Sequence, residues 1–175
     1  MRQTKHNIWE SMYELMLGQR RLFSDVRVYD ICQMSGIHRS TFYRHFEDKY
    51  AVLHYGLNVL WQDYFLLDGS KRWRTPFTTA DRFYEQSEAQ QLMRLHRSDR
   101  VFLDEADTFF IKKMKEDIGR VFDGFSISVP KSLVSHLLVG ILKNLEEWRE
   151  EQPERVPSWQ MDAYYQELFI CQYVQ

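Results

Sequence analysis

Between Pro130 and Glu150 the apolar residues Val134, Leu137, Leu138, Ile141, Leu142, Leu145 and Trp148 recur at steps of three and four. That spacing lines one face of an α-helix, with its 3.6 residues per turn, and does not suit a strand, whose faces alternate every second residue. The same step recurs at Ile8, Met12, Leu15 and Met16, at Leu53, Leu57, Leu60, Tyr64 and Leu67, and at Met161, Tyr164, Tyr165, Leu168 and Phe169. Only seven Gly and four Pro occur in 175 residues, too little turn material for many short strands. The expected fold class is all-α.

Local punctuation divides the chain further. Gly18 is a plausible end for the first helix, and a second is expected over Val28–Ser35, broken at Gly36. A third starts near His38 and carries Phe42 and Phe46 one turn apart; a long fourth follows Glu47-Asp48 and runs to Leu67. The stretch from Asp68 to Pro76 reads as a loop, with helices expected beyond it at 78–95, 98–104 and 105–122. A loop over 123–129 closes at Pro130, which suits the first turn of a helix, and Ser158 is the expected N-cap of a last helix over 158–172. Residues 1–50 are expected to form one domain and 51–175 another.

Several function classes fall away at this level. There is no run of about 18 apolar residues to cross a bilayer and no leader-like apolar stretch, so a cytoplasmic location without membrane attachment is expected. Cys32 and Cys171 form no Cys-x-x-Cys or Cys/His cluster and are expected as reduced thiols. No nucleophile–base constellation, Gly-rich phosphate loop or metal-ligand spacing occurs, and His96 and His136 stand alone; neither catalysis nor a cofactor is expected. The formal net charge is −2, but it is unevenly spread. Residues 1–50 hold eight Lys/Arg against six Asp/Glu, a net of +2, whereas 51–175 hold fifteen against nineteen, a net of −4. A mildly basic head on an acidic body suits a protein that meets phosphates at one end.

The head carries the chemistry. Two short helices joined through Ser35-Gly36-Ile37 make a helix-turn-helix, where Gly allows the turn a left-handed residue at low cost. Phe42 and Phe46 set the inward direction of the third helix; Ser40 and Arg44 then point most nearly outward, with Thr41 and Tyr43 on the flanks. A small, polar and basic outer face is what a helix entering the major groove requires. The run from Val28 to Lys49, through Asp30-Ile31, Gly36-Ile37, Thr41-Phe42-Tyr43, His45-Phe46 and Lys49, resembles the DNA-binding signature of the TetR/AcrR transcriptional regulators. The resemblance is sharp over residues 8–53 and rests on helical layout beyond. It implies that Tyr43 and Lys49 bind backbone phosphates, that Arg39, Ser40, Thr41 and Arg44 face the groove, and that Arg27, opening the second helix, meets the backbone. Cys32 and Ser35 stand where the family usually has Ala, and His38 where it usually has a capping Ser.

For the body, the 130–150 and 158–172 helices are read as half of a four-helix bundle across a two-fold axis, or else as packing on their own subunit. The dimer reading assigns Val134, Leu137, Ile141, Leu145, Trp148, Tyr165, Leu168 and Phe169 to the interface, and it places two reading heads about one DNA turn apart on a palindromic operator. Aromatic residues make up 15% of the chain. Trp61, Tyr64, Phe65, Phe83, Phe102, Phe110 and Met114 either fill a core or line a cavity for a small apolar or aromatic effector, the family's usual arrangement. The resulting expectation is a ligand-responsive repressor. The alternative is a protein-interaction partner or coactivator of the same fold that binds no operator itself.

Overall fold

The computed structural model describes residues 2–85, 87–121 and 128–170, the side chains of Arg2, Val121, Phe169 and Ile170 excepted. Cys171, most of the expected 123–129 loop, the far end of the last helix and the Phe169 side chain lie outside the described residues. All regular structure among the described residues is helical. The elements are α1 (Arg2–Tyr13), continued by a π turn over Glu14–Gly18, a 3-10 turn over Phe23–Asp25, α2 (Val28–Ser35), α3 (Arg39–Tyr43) and α4 (Lys49–Leu60). There follow α5 (Gln62–Leu66), α6 (Gly69–Arg74), α7 (Pro76–Tyr84), α8 (Glu88–Leu95), α9 (Arg100–Val121), α10 (Lys131–Glu150) and α11 (Ser158–Tyr165), ending in a π turn over Gln166–Ile170.

Two compact units hold these helices. The first takes Met1–Gln62 with Gln86–Phe109, the second Asp63–Glu85 with Phe110–Gln175. In the first, α1 packs on α2 and α4, and α8 packs on α4 and the π turn after α1. Ile8, Met12, Leu15 and Met16, the stripe that the apolar spacing marks, are buried there with Trp9, Ile31, Phe42, Leu53, Leu57, Leu92 and Phe102. Gly56 lets α4 approach α1 closely: a methyl group at that position would overlap the Trp9 ring. In the second unit, Trp73, Phe77, Ile118, Leu138, Val139, Leu142, Met161 and Tyr165 form the core.

The body departs from its sequence reading in four places. The expected loop at 68–76 contains α6, because the Asp68 carboxylate accepts from the Lys71 amide (2.9 Å) and caps it. The expected 78–95 helix is two helices: Ser87 accepts from the Gln90 amide (3.1 Å) and starts α8 afresh. The expected 98–104 and 105–122 helices are one continuous α9, for no Gly or Pro interrupts the run until Gly119. The long helix expected from Lys49 to Leu67 breaks at Trp61, which leaves helical geometry with its indole buried in the first unit. Tyr64 and Phe65, just beyond the break, pack instead against Arg72 of the second unit, each ring centroid 5.6 Å from the guanidinium.

Buried charges in the second unit do structural work. Asp117 receives Arg72 through both guanidinium nitrogens (Nη2 at 2.9 Å) and the Trp73 indole N–H at 3.0 Å. Asp162 accepts from the Phe77 and Thr78 amides at 2.8 and 3.0 Å, capping α7 from a distant part of the chain. Ser158, expected as the N-cap, is instead the first residue of α11, with Pro157 at the cap position; its hydroxyl donates to Asp81 and accepts from Arg149.

Candidate nucleic-acid interface

Gly36 makes the turn between α2 and α3. It sits at φ +66°, ψ +30°, the left-handed region that costs a side-chain-bearing residue most. The amide of Ile37 donates to the Cys32 carbonyl (3.1 Å) and that of Gly36 to the Gln33 carbonyl (3.3 Å). These two bonds satisfy the last carbonyls of α2 in a Schellman arrangement and set the direction in which α3 leaves. His38 precedes α3 and gives no side-chain capping bond; its backbone carbonyl alone accepts from Thr41 and Phe42.

Phe42 is fully buried and Phe46 nearly so, which fixes α3 on the body of its unit. On the other side, Arg39, Ser40, Tyr43 and Arg44 are exposed and Thr41 is half-buried. Arg39 Nη2 donates to the Tyr43 hydroxyl at 3.2 Å, and Arg44 Nη2 donates to Thr41 Oγ1 at 3.1 Å. Both bonds stay within α3 and its cap, so the arginines reach outward from a shared polar surface. His45 is half-buried beside Phe46.

The approach to α2 is held by an ion pair that sequence reasoning missed. Asp30 accepts from the Arg27 amide (2.9 Å), closing the first turn of α2, and from Arg21 Nη2 (2.9 Å). Partial burial pushes the Asp30 carboxyl up, but the Arg21 guanidinium and the Arg27 amide outweigh it and hold it below the usual carboxylate range. The signal was present as an acidic residue three positions after the cap, although Arg27 replaces the Ser or Thr that ordinarily announces it. The Arg27 side chain is exposed.

Lys49 is placed unlike its neighbours. Its Nζ donates to the carbonyls of Phe23 (2.9 Å), Ser24 (3.1 Å) and Val26 (2.9 Å), and lies 4.5 Å from the Phe23 ring centroid. An ammonium has three N–H bonds, and here all three serve the turn before α2. Burial pushes its pKa down, against the attraction of Asp99 and Asp25. Asp99 supports the same turn, accepting from the Ser24 amide at 2.8 Å.

The residues assigned to a dimer interface divide by exposure. Leu137, Trp148 and Leu168 are exposed, at 52%, 41% and 59%. Val134, Ile141 and Leu145 lie partly buried against the core of their own unit, and Tyr165 is fully buried within it. Leu133 and Trp159 are exposed apolar residues that the sequence reading passed over. Leu133, Leu137 and Trp148 share one stripe of α10 with Gly140, where an added methyl group would meet open space. Of the aromatic set, Trp61 and Phe102 are buried in the first unit, whereas Tyr64, Phe65, Phe83, Phe110 and Met114 belong to the second. There Tyr64 contacts Phe65 and Phe83, with ring centroids 5.2 and 5.4 Å apart, and burial pushes its hydroxyl up to about 12. Among the described residues no group of three or more His, Cys, Asp or Glu is placed to hold a metal, and no helix is long and apolar enough to cross a membrane.

No protein-family model matches the sequence, and no curated protein does. Solved structures do match. A TetR transcriptional regulator from Streptococcus agalactiae is similar with a TM-score of 0.55 at 19% identity, over 95% of this chain and 93% of that one. A protein from Syntrophomonas wolfei, assigned to the TetR-family transcriptional regulators, is similar with a TM-score of 0.53 at 16% identity, over 99% and 96%. The chain has the TetR-family fold. The likeness runs along nearly the whole length of both chains and is not confined to the signature at residues 28–49.

Proposed function

We propose that the protein is a sequence-specific DNA-binding transcriptional regulator that acts as a homodimer and represses its target. The observation that carries this is the two-sidedness of α3: Phe42 and Phe46 buried beneath, Arg39, Ser40, Tyr43 and Arg44 exposed above. A short polar helix propped on an apolar base is the shape the major groove admits. In this reading Arg44, Ser40 and Thr41 meet base edges, while Arg39, Tyr43 and Arg27 hold the sugar–phosphate backbone. Lys49 acts one step back, holding the turn that presents Arg27.

One such helix buries too little surface for tight binding, so a second copy is needed. The exposed stripe Leu133, Leu137 and Trp148, with open space at Gly140, suits a self-complementary contact between two α10 helices. Fluorescence anisotropy against duplexes selected from a random pool, repeated across salt concentrations, tests the proposal. Binding to a palindromic sequence with a steep salt slope is expected. Failure to enrich any duplex would overturn it in favour of a protein-interaction role for the same surface.

A further inference from the structure

Within the first unit, Leu17, Arg20, Gln91, Arg94, Leu95 and Arg97 line an open depression of about 470 Å³. Three arginines line this one concavity with no acidic residue among its lining, and no hydrogen bond or ion pair ties their guanidiniums to another described residue. Glu14 folds back over Gly18, and Glu88 engages the Tyr13 hydroxyl; neither is among the residues that line the depression. Like charges gathered without a counter-charge repel one another and are relieved by an anion.

Arg20 adds an independent observation. It is the only non-glycine at positive φ among the described residues, at +54°. It follows the π turn, where the Gln19 amide donates to the Glu14 carbonyl (3.0 Å) and the Arg21 amide to the Leu15 carbonyl (3.2 Å). A helix end of this kind ordinarily takes glycine, and a residue with a side chain sits there at a cost. The expected terminator, Gly18, lies two positions earlier, inside the π turn and not at positive φ, so the strain falls on the arginine.

We propose that this depression is a binding site for a small organic phosphate, distinct from the surface of α3. A phosphate monoester presents three oxygens to guanidinium forks that recognise such groups in planar, paired fashion. Leu17 and Leu95 give the concavity an apolar floor, which suits the substituent of a small ester better than the hydrophilic backbone of a duplex. The site does not depend on DNA recognition by α3.

Calorimetric titration of the full chain with hexyl phosphate and with inorganic phosphate tests the assignment. Hexyl phosphate is expected to bind about tenfold more tightly than phosphate, through burial of its first methylenes on the leucines. Arg94→Gln with Arg97→Gln is expected to weaken hexyl phosphate by about tenfold or more, as loss of charged hydrogen bonds does. Arg20→Gly should raise the melting temperature by releasing the left-handed strain and at the same time weaken the ligand, a pair of opposite effects that a purely structural residue does not give. No binding of hexyl phosphate at millimolar concentration would overturn the site. So would binding indifferent to all three arginines, or a double variant that loses only duplex DNA.

Discussion

Arg44 and Lys49 carry the same charge in the same short segment, yet they are put to opposite uses. Arg44 reaches outward from the end of α3, tethered among the described residues only to Thr41. Its replacement by Ala should leave stability unchanged and cost about 1–3 kcal/mol of discrimination at one base pair, measured by anisotropy on matched and mismatched duplexes. Lys49 is turned inward on three carbonyls. Lys49→Ala should lower folding stability by roughly 1–3 kcal/mol in urea titration, since charged hydrogen bonds are the stronger kind. It should weaken DNA binding without altering the salt slope, because a residue that touches no phosphate releases no counterion. His96 makes a third case. Its imidazole is fully buried, stacked 4.3 Å from the Phe102 ring centroid, with Nδ1 bonded to the Leu92 carbonyl at 2.9 Å and Nε2 unpartnered among the described residues. Burial pushes its pKa below the ordinary 6.5, outweighing the Leu92 carbonyl, the attraction of Asp99 and the Arg21 backbone, which all favour the charged form. The folded state therefore resists a proton that the unfolded chain accepts. Stability should be full above about pH 6.5 and decline as pH falls through that value. The urea midpoint should fall from pH 7.5 to 5.5, and His96→Asn, which keeps a donor for Leu92, should flatten the decline.

At the scale of the helix, the tightest constraint is the crossing of α1 and α4. Gly56→Ala would gain helix propensity of about 1 kcal/mol in isolation. In the structure the new methyl group meets the buried Trp9 ring, so a net loss of about 1–3 kcal/mol is expected from overpacking, read as a lower melting temperature. What the sequence disclosed and what it hid divide along the same lines. The apolar stripes of α1, α4 and α10 were legible because burial imposes a period of 3.6, and the turn at Gly36 because one glycine with its neighbours fixes a local geometry. The outward direction of Ser40 and Arg44 was legible from helical rotation, because Phe42 and Phe46 fix it, whereas Arg39 was assigned to the outer face only through the resemblance. Long-range caps were not legible. Asp162 closes α7 and Asp99 holds the turn at Ser24 across spans of chain that carry no periodic mark. Ser87-Glu88-Ala89-Gln90 did carry one, a serine followed three residues later by a glutamine, and it divides what was read as a single helix. Nor could spacing tell which apolar residues of α10 and α11 face their own core. Tyr165 and Leu168 share a stripe by period, but one is buried and the other open.

For the molecule as a whole, the proposed pairing of two copies is the step that would turn a weak reading head into a tight one. Leu137→Asp places a charge in the middle of the exposed stripe on α10, away from the core formed by Leu138, Val139 and Leu142. The variant should fold with an unchanged far-ultraviolet spectrum, sediment as a monomer at micromolar concentration and bind a half-site no more weakly than before, while losing the palindrome. Persistence as a dimer would place the contact elsewhere. The turn at Phe23–Asp25 has a consequence for how such proteins can be cut and recombined. Phe23 rests 6.2 Å from the Phe102 ring centroid and the Ser24 amide on Asp99, both from a helix that begins at Arg100 or just before it. A graft that transplanted residues 1–50 into a foreign host would leave behind the floor under its own entry loop, so the turn before α2 keeps its support only together with the stretch from Asp99 to Phe102 that lies far downstream.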